Sequence, residues 1–353
     1  MAASPPPLLR DLGEWELLRR LAAYAPPGQF DDDAALLEER AGRTLVVNTD
    51  VLVEGLHFSD ATMGPADLGW RAAAANLSDL AAMGCQQVVG LTVGLVAPGD
   101  TPWPWVDGVY TGLSEALGRY GGVLLGGDCS GGGQRLLAIT ALGHLGRGAI
   151  RRCDGRPGDL LLSTGPHGLS RLGLAVLLEE LPAPARQGLT ASLVERAVRA
   201  HRRPQPRFDA VAALATSQPM HAPWRVGGAD SSDGLVAAAA AIARASGCQA
   251  LLHREALPID AAMAGLAEAE RWCLCGGEDF ELVLALAPAW AEALVPALPG
   301  TRVIGALRQA GAAEQGGAGP AASVVWQGSG EPVTSGEGWC HYTEKAAPEG
   351  GLS

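Results

Sequence analysis

Between residues 44 and 145 the chain alternates runs that suit strands with runs that suit helices. That alternation narrows the possible folds more than any other feature. TLVVNTDVLVEGLHF (44–58) opens as a β-branched strand, reaches Thr49 and Asp50, and continues to Glu54 and His57. DLGWRAAAANLSDLAAMGC (67–85) reads as a helix, alanine-rich through Ala72 to Ala75, with Ser78 and Asp79 inside it and Gly84 suited to its C-terminal end. QQVVGLTVGLVAP is a strand closed by Pro98-Gly99, and WVDGVYTGLSEALGRYG is an amphipathic helix closing on Gly121-Gly122. VLLGGDCSGGG reads as a short buried strand ending in a glycine-rich turn that carries Asp128, and RLLAITALGHLGR as a further strand. Such alternation predicts an α/β or α+β layer architecture.

After RRCDGRPGD the pattern restarts. DLLLSTGPHGLSRLGLAVLL reads as strand, Gly-rich turn and helix; GGADSSDGLVAAAAAIARASG puts Asp230 and Asp233 just before a long helix with Ser232 as its N-cap. CLCGGEDFELVLAL places Gly276, Gly277, Glu278 and Asp279 ahead of a strand. A length of 353 residues accommodates two domains, 1–152 and 153–353, divided in the Arg/Gly/Pro stretch. Residues 309–320 read as a loose surface loop and the last ten as a frayed end.

Composition removes several function classes. Hydrophobic residues at 48% against 18% charged argue for real cores, and a net charge of −12 argues against nucleic acid as a partner. No apolar run reaches the roughly 20 residues of a membrane span. The opening MAASPPPLLRDLGEWELL shows no signal-peptide pattern, and the seven scattered cysteines form no C-x-x-C pair, so the expected compartment is the cytoplasm. Lys345 is the only lysine, which excludes a G-x-x-x-x-G-K-[ST] loop, a protein-kinase-type lysine and a Schiff base. If phosphate is handled here, metals, arginines and backbone N–H groups must do it.

Carboxylates are the other signal. FDDDAALLEE (30–39) packs Asp31, Asp32 and Asp33 against an apolar run. A solvated acidic loop or helix start explains it as well as a bed for divalent cations does. Asp33, Asp50, Asp79, Asp128, Asp230 and Asp233 each lie near the end of an apolar element beside small residues. Singly, each has an ordinary explanation as a cap or turn residue. Together, in a chain with one lysine, they call for another counter-charge, and Mg²⁺ takes hard oxygen ligands while bridging carboxylates to substrate phosphates.

The motifs DDDAALL, NTDVLVEGLHF, NLSDLAAMG, LGGDCSGG, HRRPQPR, DSSDGL and CGGEDFEL together resemble the thiamine-monophosphate kinase family, over about residues 28–340. Its superfamily also holds aminoimidazole ribonucleotide synthetase, selenophosphate synthetase and a hydrogenase-maturation protein. The chain departs from the pattern at Asp31, where the family has glycine, and at Cys129-Ser130, where a Thr pair is more usual. The resemblance implies a two-domain aminoimidazole ribonucleotide synthetase-like fold, with an N-terminal ATP/Mg-binding domain that dimerises through its sheet and a C-terminal α/β domain that completes the active site. It implies Mg²⁺ ligands at Asp33, Asn48, Thr49, Asp50, Asp79, Asp128, Asp230 and Asp233, with Asp50, Asp128 and Asp233 catalytic. ATP contacts are implied at Gly127, Arg152, Ser232 and Tyr110, and a thiamine-phosphate pocket at His57, Glu278 and Trp339. Arg202, Arg203 and Arg207 receive no role.

The implied chemistry suits these residues. The attacking group would be an oxygen of a phosphate monoester, whose second pKa of about 6 leaves it ionised at neutral pH. No strong base or nucleophile is needed; the difficulty is bringing two polyanions together, which metals relieve. The siblings fit less well: residues 1–30 carry no Cys or Lys, and the chain ends PEGGLS without a terminal Cys. Another small-molecule kinase or ATP-using synthetase of the superfamily is the alternative. The apolar strands of the first half need cover on both faces, and a homodimer formed through that half would supply it.

Overall fold

The computed structural model describes residues 6–24, 42–310 and 323–333. A first helix, α1 (Leu9–Leu21), precedes a four-stranded sheet. That sheet is built from β1 (Leu45–Val53), β2 (Cys85–Ala97), β3 (Val123–Gly131) and β4 (Leu136–Leu145), in the order β1-β4-β2-β3. Helices α2 (Pro65–Ala82) and α3 (Trp103–Tyr120) connect β1 to β2 and β2 to β3. Proline in the first turn starts each helix, and the left-handed Gly84 and Gly121 follow their ends. Both helices bury their apolar stripes with Leu91, Val93, Leu137 and Ile139 of the sheet in one core.

Side chains alternate across β1, so its two faces differ. Asn48 and Asp50 look toward α2, whereas Leu45, Val47 and Val51 are 40%, 61% and 45% exposed on the other face. The alternation expected from the sequence is present, with one change: β3 runs straight through Asp128 to Gly131, so Asp128 lies within a strand and not in a turn. The neighbouring strand supplies the reason, since β2 pairs in parallel with every residue from Gly126 to Gly131.

The second sheet has six strands in the order β10-β7-β9-β5-β8-β6. Its strands are β5 (Leu160–Ser163), β6 (Gly227–Asp230), β7 (Cys248–Leu252), β8 (Leu282–Leu286), β9 (Arg302–Gln309) and β10 (Val324–Trp326). Helices α4 (Leu169–Leu177), α5 (Ala183–Gln187), α6 (Ala191–Arg202), α7 (Phe208–Ser217), α8 (Leu235–Ala245), α9 (Ala269–Cys275) and α10 (Pro288–Ala297) pack around it. Separate apolar clusters line its two faces, one with α8 and one with α7 and α10. Helix α8 is not capped by Ser232. Its N-cap is Gly234 at φ 105°, and the Ser232 hydroxyl is directed to Asp230 instead.

Candidate active site

Helix α2 is the common wall of the site. It presents Asn76, Ser78 and Asp79 to β1 on one side and to β6 on the other. Asn76 Oδ1 accepts from Asn48 Nδ2 at 3.1 Å and from the Asp50 backbone N–H at 3.2 Å, while its amide nitrogen donates to Ala72 O. Asn48 Nδ2 also donates to Asp79 Oδ2 at 2.9 Å. Ser78 Oγ donates to Asp230 Oδ2 at 2.9 Å and Ser232 Oγ to Asp230 Oδ1 at 3.2 Å. The middle of β1, the last turns of α2 and the end of β6 with Ser232 after it thus share one polar seam between the two sheets.

The carboxylates in that seam raise one another's proton affinity. Burial, then the charges of Asp230 and Asp50, push Asp79 up to about 7; the bond from Asn48 and the charge of Arg152 act against this. Burial and then Asp233 raise Asp50. Asp230 is raised by burial in spite of its two serine donors. Like charges held this close in a half-buried seam favour protonation unless a cation is present. Among the described residues, no three Asp, Glu, His or Cys side chains converge on one point tightly enough to hold an ion alone. The donor set nevertheless fits a hard divalent cation that keeps water and phosphate oxygens in its shell. Every candidate atom is oxygen, and Asn48 Oδ1 is buried there without a hydrogen-bond donor. A buried amide oxygen left so costs about 1–3 kcal/mol.

The remaining expected ligands fall elsewhere. Thr49 faces the open side of the sheet, where its hydroxyl meets Thr140 Oγ1 at 2.8 Å, leaving only its backbone for the Asp50 side. Asp128 shares a row with Gly94, Ala138 and Val51, so it too is on the open face. Three strand spacings, about 14 Å, separate it from β1. The structure therefore does not join Asp128 to the other four aspartates within one chain. Gly127 sits beside it in β3, where a Cβ would run into the carbonyl of Val93. Tyr110 is a core residue: it packs against Tyr24 at 5.6 Å and its hydroxyl is bonded to Cys129, one residue after Asp128. As a nucleotide contact it is thus corrected to a prop beneath β3, because α3 presents it to the inner face. Asp33 and Trp339 lie outside the described residues.

A second cluster surrounds Glu278. Gly277, Glu278 and Phe280 have φ of 66°, 59° and 52°. A left-handed side-chain residue costs of order 1–3 kcal/mol and persists only where its surroundings hold it. They do so here through backbone bonds and ion pairs. The Glu278 N–H donates to Ser232 O at 2.7 Å, and the Ser231 N–H to Glu281 O at 2.9 Å. Asp279 accepts from the N–H groups of Gly168 and Ser170 at the start of α4. The Glu278 carboxylate pairs with Arg71 of α2, and Glu281 pairs with Arg207. Burial pushes the Glu278 carboxyl up, but Arg71, His201 and His57 outweigh it and hold the group below the usual range. His57 accepts the Val53 N–H at Nδ1, at 3.0 Å, which leaves Nε2 as its donor. Two expected pocket residues, His57 and Glu278, are therefore neighbours, next to the seam of aspartates.

Sequence reasoning missed Arg71, Asn76, Ser78 and His201. Buried polar side chains in an alanine-rich helix were the available signal for the first three. The arginines of HRRPQPR also find work: Arg202 donates to Thr62 O, Arg203 pairs with Asp67 and Glu115, and Trp70 Nε1 donates to Pro204 O. This segment straps the second sheet's helices to α2.

Comparison with known proteins shows what the whole chain is similar to. A family model described as "AIR synthase related protein, N-terminal domain" matches residues 31–145. The thiamine-monophosphate kinase of Prochlorococcus marinus is 48% identical over 302 residues, 86% of this chain and 90% of that protein. The crystal structure of thiamine-monophosphate kinase from Stenotrophomonas maltophilia superposes with a TM-score of 0.73 at 30% identity, over 90% of this chain and 96% of the other. A structure of AaThiL complexed with AMPPCP and TMP gives 0.70 at 26% identity, over 96% of this chain and all of the other.

Proposed function

The chain belongs to the thiamine-monophosphate kinase family and phosphorylates thiamine monophosphate with ATP, and on that premise we propose which of its residues do the work. An oxygen of the acceptor phosphate bonds to the γ-phosphorus as the bond to the β,γ-bridging oxygen breaks, releasing ADP and thiamine diphosphate. Asp50, Asp79, Asp230 and Asp233 hold Mg²⁺ in the seam, with Asn48 Oδ1 and the Thr49 backbone as neutral oxygens. The observation that carries this is geometric: Asn48, Asp50, Asp79 and Asp230 are tied into one seam by bonds through Asn76 and Ser78, with a buried amide oxygen left without a donor, and burial together with neighbouring aspartates raises Asp50, Asp79 and Asp230 there. Bound Mg²⁺ would offset phosphate repulsion and stabilise charge on the transferring group. Arg152, already close to Asp79 and Asp230, and Ser232 turn toward the nucleotide. His57 and Glu278 line the acceptor pocket. Asp33, Asp128 with Gly127, and Trp339 are assigned from the family resemblance; a tryptophan would offer a face for the cationic thiazolium.

We place the division of labour at 1–152 and 153–353 and the protein in the cytoplasm, since its described cysteines are unbridged. No described helix is long and apolar enough to cross a membrane. The open face of the first sheet, with Leu45, Val47 and Val51, is where a second copy of the chain would dock to give a homodimer. The test of the site is thiamine diphosphate formation by D50N and D128N beside the unchanged protein. Each variant should lose most of its activity with its fold intact. Near-normal turnover of both at saturating Mg²⁺ would remove these residues from the site.

A further inference from the structure

Arg71 is buried on the same side of α2 as the aspartate seam but is none of its members. Its side chain is 3% exposed, too deep to touch a ligand, whereas Glu278 is 37% exposed. The guanidinium pairs with Glu278 Oε1 and donates to the His201 carbonyl near the end of α6. Ser78 and Asp79 follow seven and eight residues later, about 10–12 Å along the axis. The connections close into a circuit. Arg71 holds the Glu278 carboxylate, the Glu278 N–H donates to Ser232 O, Ser232 Oγ donates to Asp230, and Ser78 of α2 donates to Asp230 as well.

We propose that Arg71 is a positioning residue for the acceptor: through Glu278 it sets where thiamine monophosphate sits relative to the metal end of the same helix. The inference rests on the reading of Glu278 as an acceptor contact. A guanidinium is required because two bonds in fixed directions are made at once, to a carboxylate and to a carbonyl, and an ammonium group cannot reproduce that fork. Without it, Glu278 keeps its left-handed backbone but loses the partner that aims its side chain. His201 does not replace Arg71, since its Nδ1 is 3.9 Å from Glu278 Oε2 and its ring is pushed down to about 3 by burial and by Arg71 itself.

The experiment is steady-state kinetics of the full chain with Mg²⁺, varying each substrate in turn, for R71K, R71M, E278Q and R71M/E278Q. R71M should raise KM for thiamine monophosphate about tenfold or more while KM for ATP stays within about twofold. R71K should recover only part of the loss, and the double variant should be no worse than E278Q, because both changes break one connection. A purely structural role would move both KM values together, or neither. If R71M does not fold, R71K and E278Q decide by the same split. Failure of the unchanged protein to turn over thiamine monophosphate would overturn the functional reading and this inference with it. Normal turnover with an unshifted acceptor KM in the Arg71 variants would overturn the inference alone.

Discussion

Asp79 shows how a single residue can be costly to the metal-free fold and still suit the role proposed for it. Its carboxyl titrates near 7 in the folded chain against an ordinary 3.8, because it is buried beside Asp230 and Asp50. The metal-free folded state therefore binds more protons than the unfolded state between about pH 4 and pH 7, and its stability falls as pH rises through that window. Asp79→Asn removes the effect. In chelator-treated protein it should raise the melting temperature at pH 8 and flatten its decline with pH, while abolishing stabilisation by added Mg²⁺. Thermal melts across that range check it; an unchanged decline together with an unchanged Mg²⁺ response would clear Asp79 of any such role. Residues of this kind were legible in the sequence only as a set: singly each passes for a cap or turn residue, but six together in a chain with one lysine call for another counter-charge. Their partners were less so: Asn48 and Asn76 matter through bonds between elements 28 residues apart, which no local pattern encodes.

At the scale of elements, α2 does what the separate motifs suggested only piecemeal. It carries Arg71 to Glu278, Ser78 to Asp230 and Asp79 to Asn48, and its start is strapped by Trp70 and Asp67 to residues 203–204. Helix 67–85 was readable from composition and its closing glycine, and the observed Pro65–Ala82 differs only at the ends. The misread points are those where a tertiary partner overrode local chemistry. Asp128 looked like a turn residue after two glycines, but pairing with β2 extends the strand past it. Ser232 looked like a helix cap, but the buried Asp230 claims its hydroxyl. Tyr110, which the resemblance implied as an ATP contact, is turned by α3 into the core. The role of HRRPQPR was invisible because its arginines answer acids and carbonyls far away in sequence. Ser78→Ala tests α2 as a connector. It takes a donor from a buried carboxylate, so urea unfolding should show a loss of about 1–3 kcal/mol. Stability equal to that of the unchanged protein would mean that water serves Asp230 as well as Ser78 does.

At the scale of the molecule, two sheets meet across α2, and among the described residues one face of the first sheet leaves Leu45, Val47 and Val51 exposed. Val47 and Val51 lie on that face, and their replacement by Asp should turn a dimer into a monomer. Light scattering would then read 36.2 kDa in place of twice that mass. A monomer before any substitution would show that this face needs no second copy. Thr49 and Asp128 share the face, so a second copy docked there would lie beside two of the residues proposed for the site. The account as a whole turns on one reaction carried by one seam of carboxylates. Its most direct measurement is the product balance of purified protein supplied with ATP, Mg²⁺ and thiamine monophosphate. The account predicts ADP and thiamine diphosphate in equal amounts, with both lost in D50N; ADP formed at a rate indifferent to thiamine monophosphate, with no thiamine diphosphate, would contradict it.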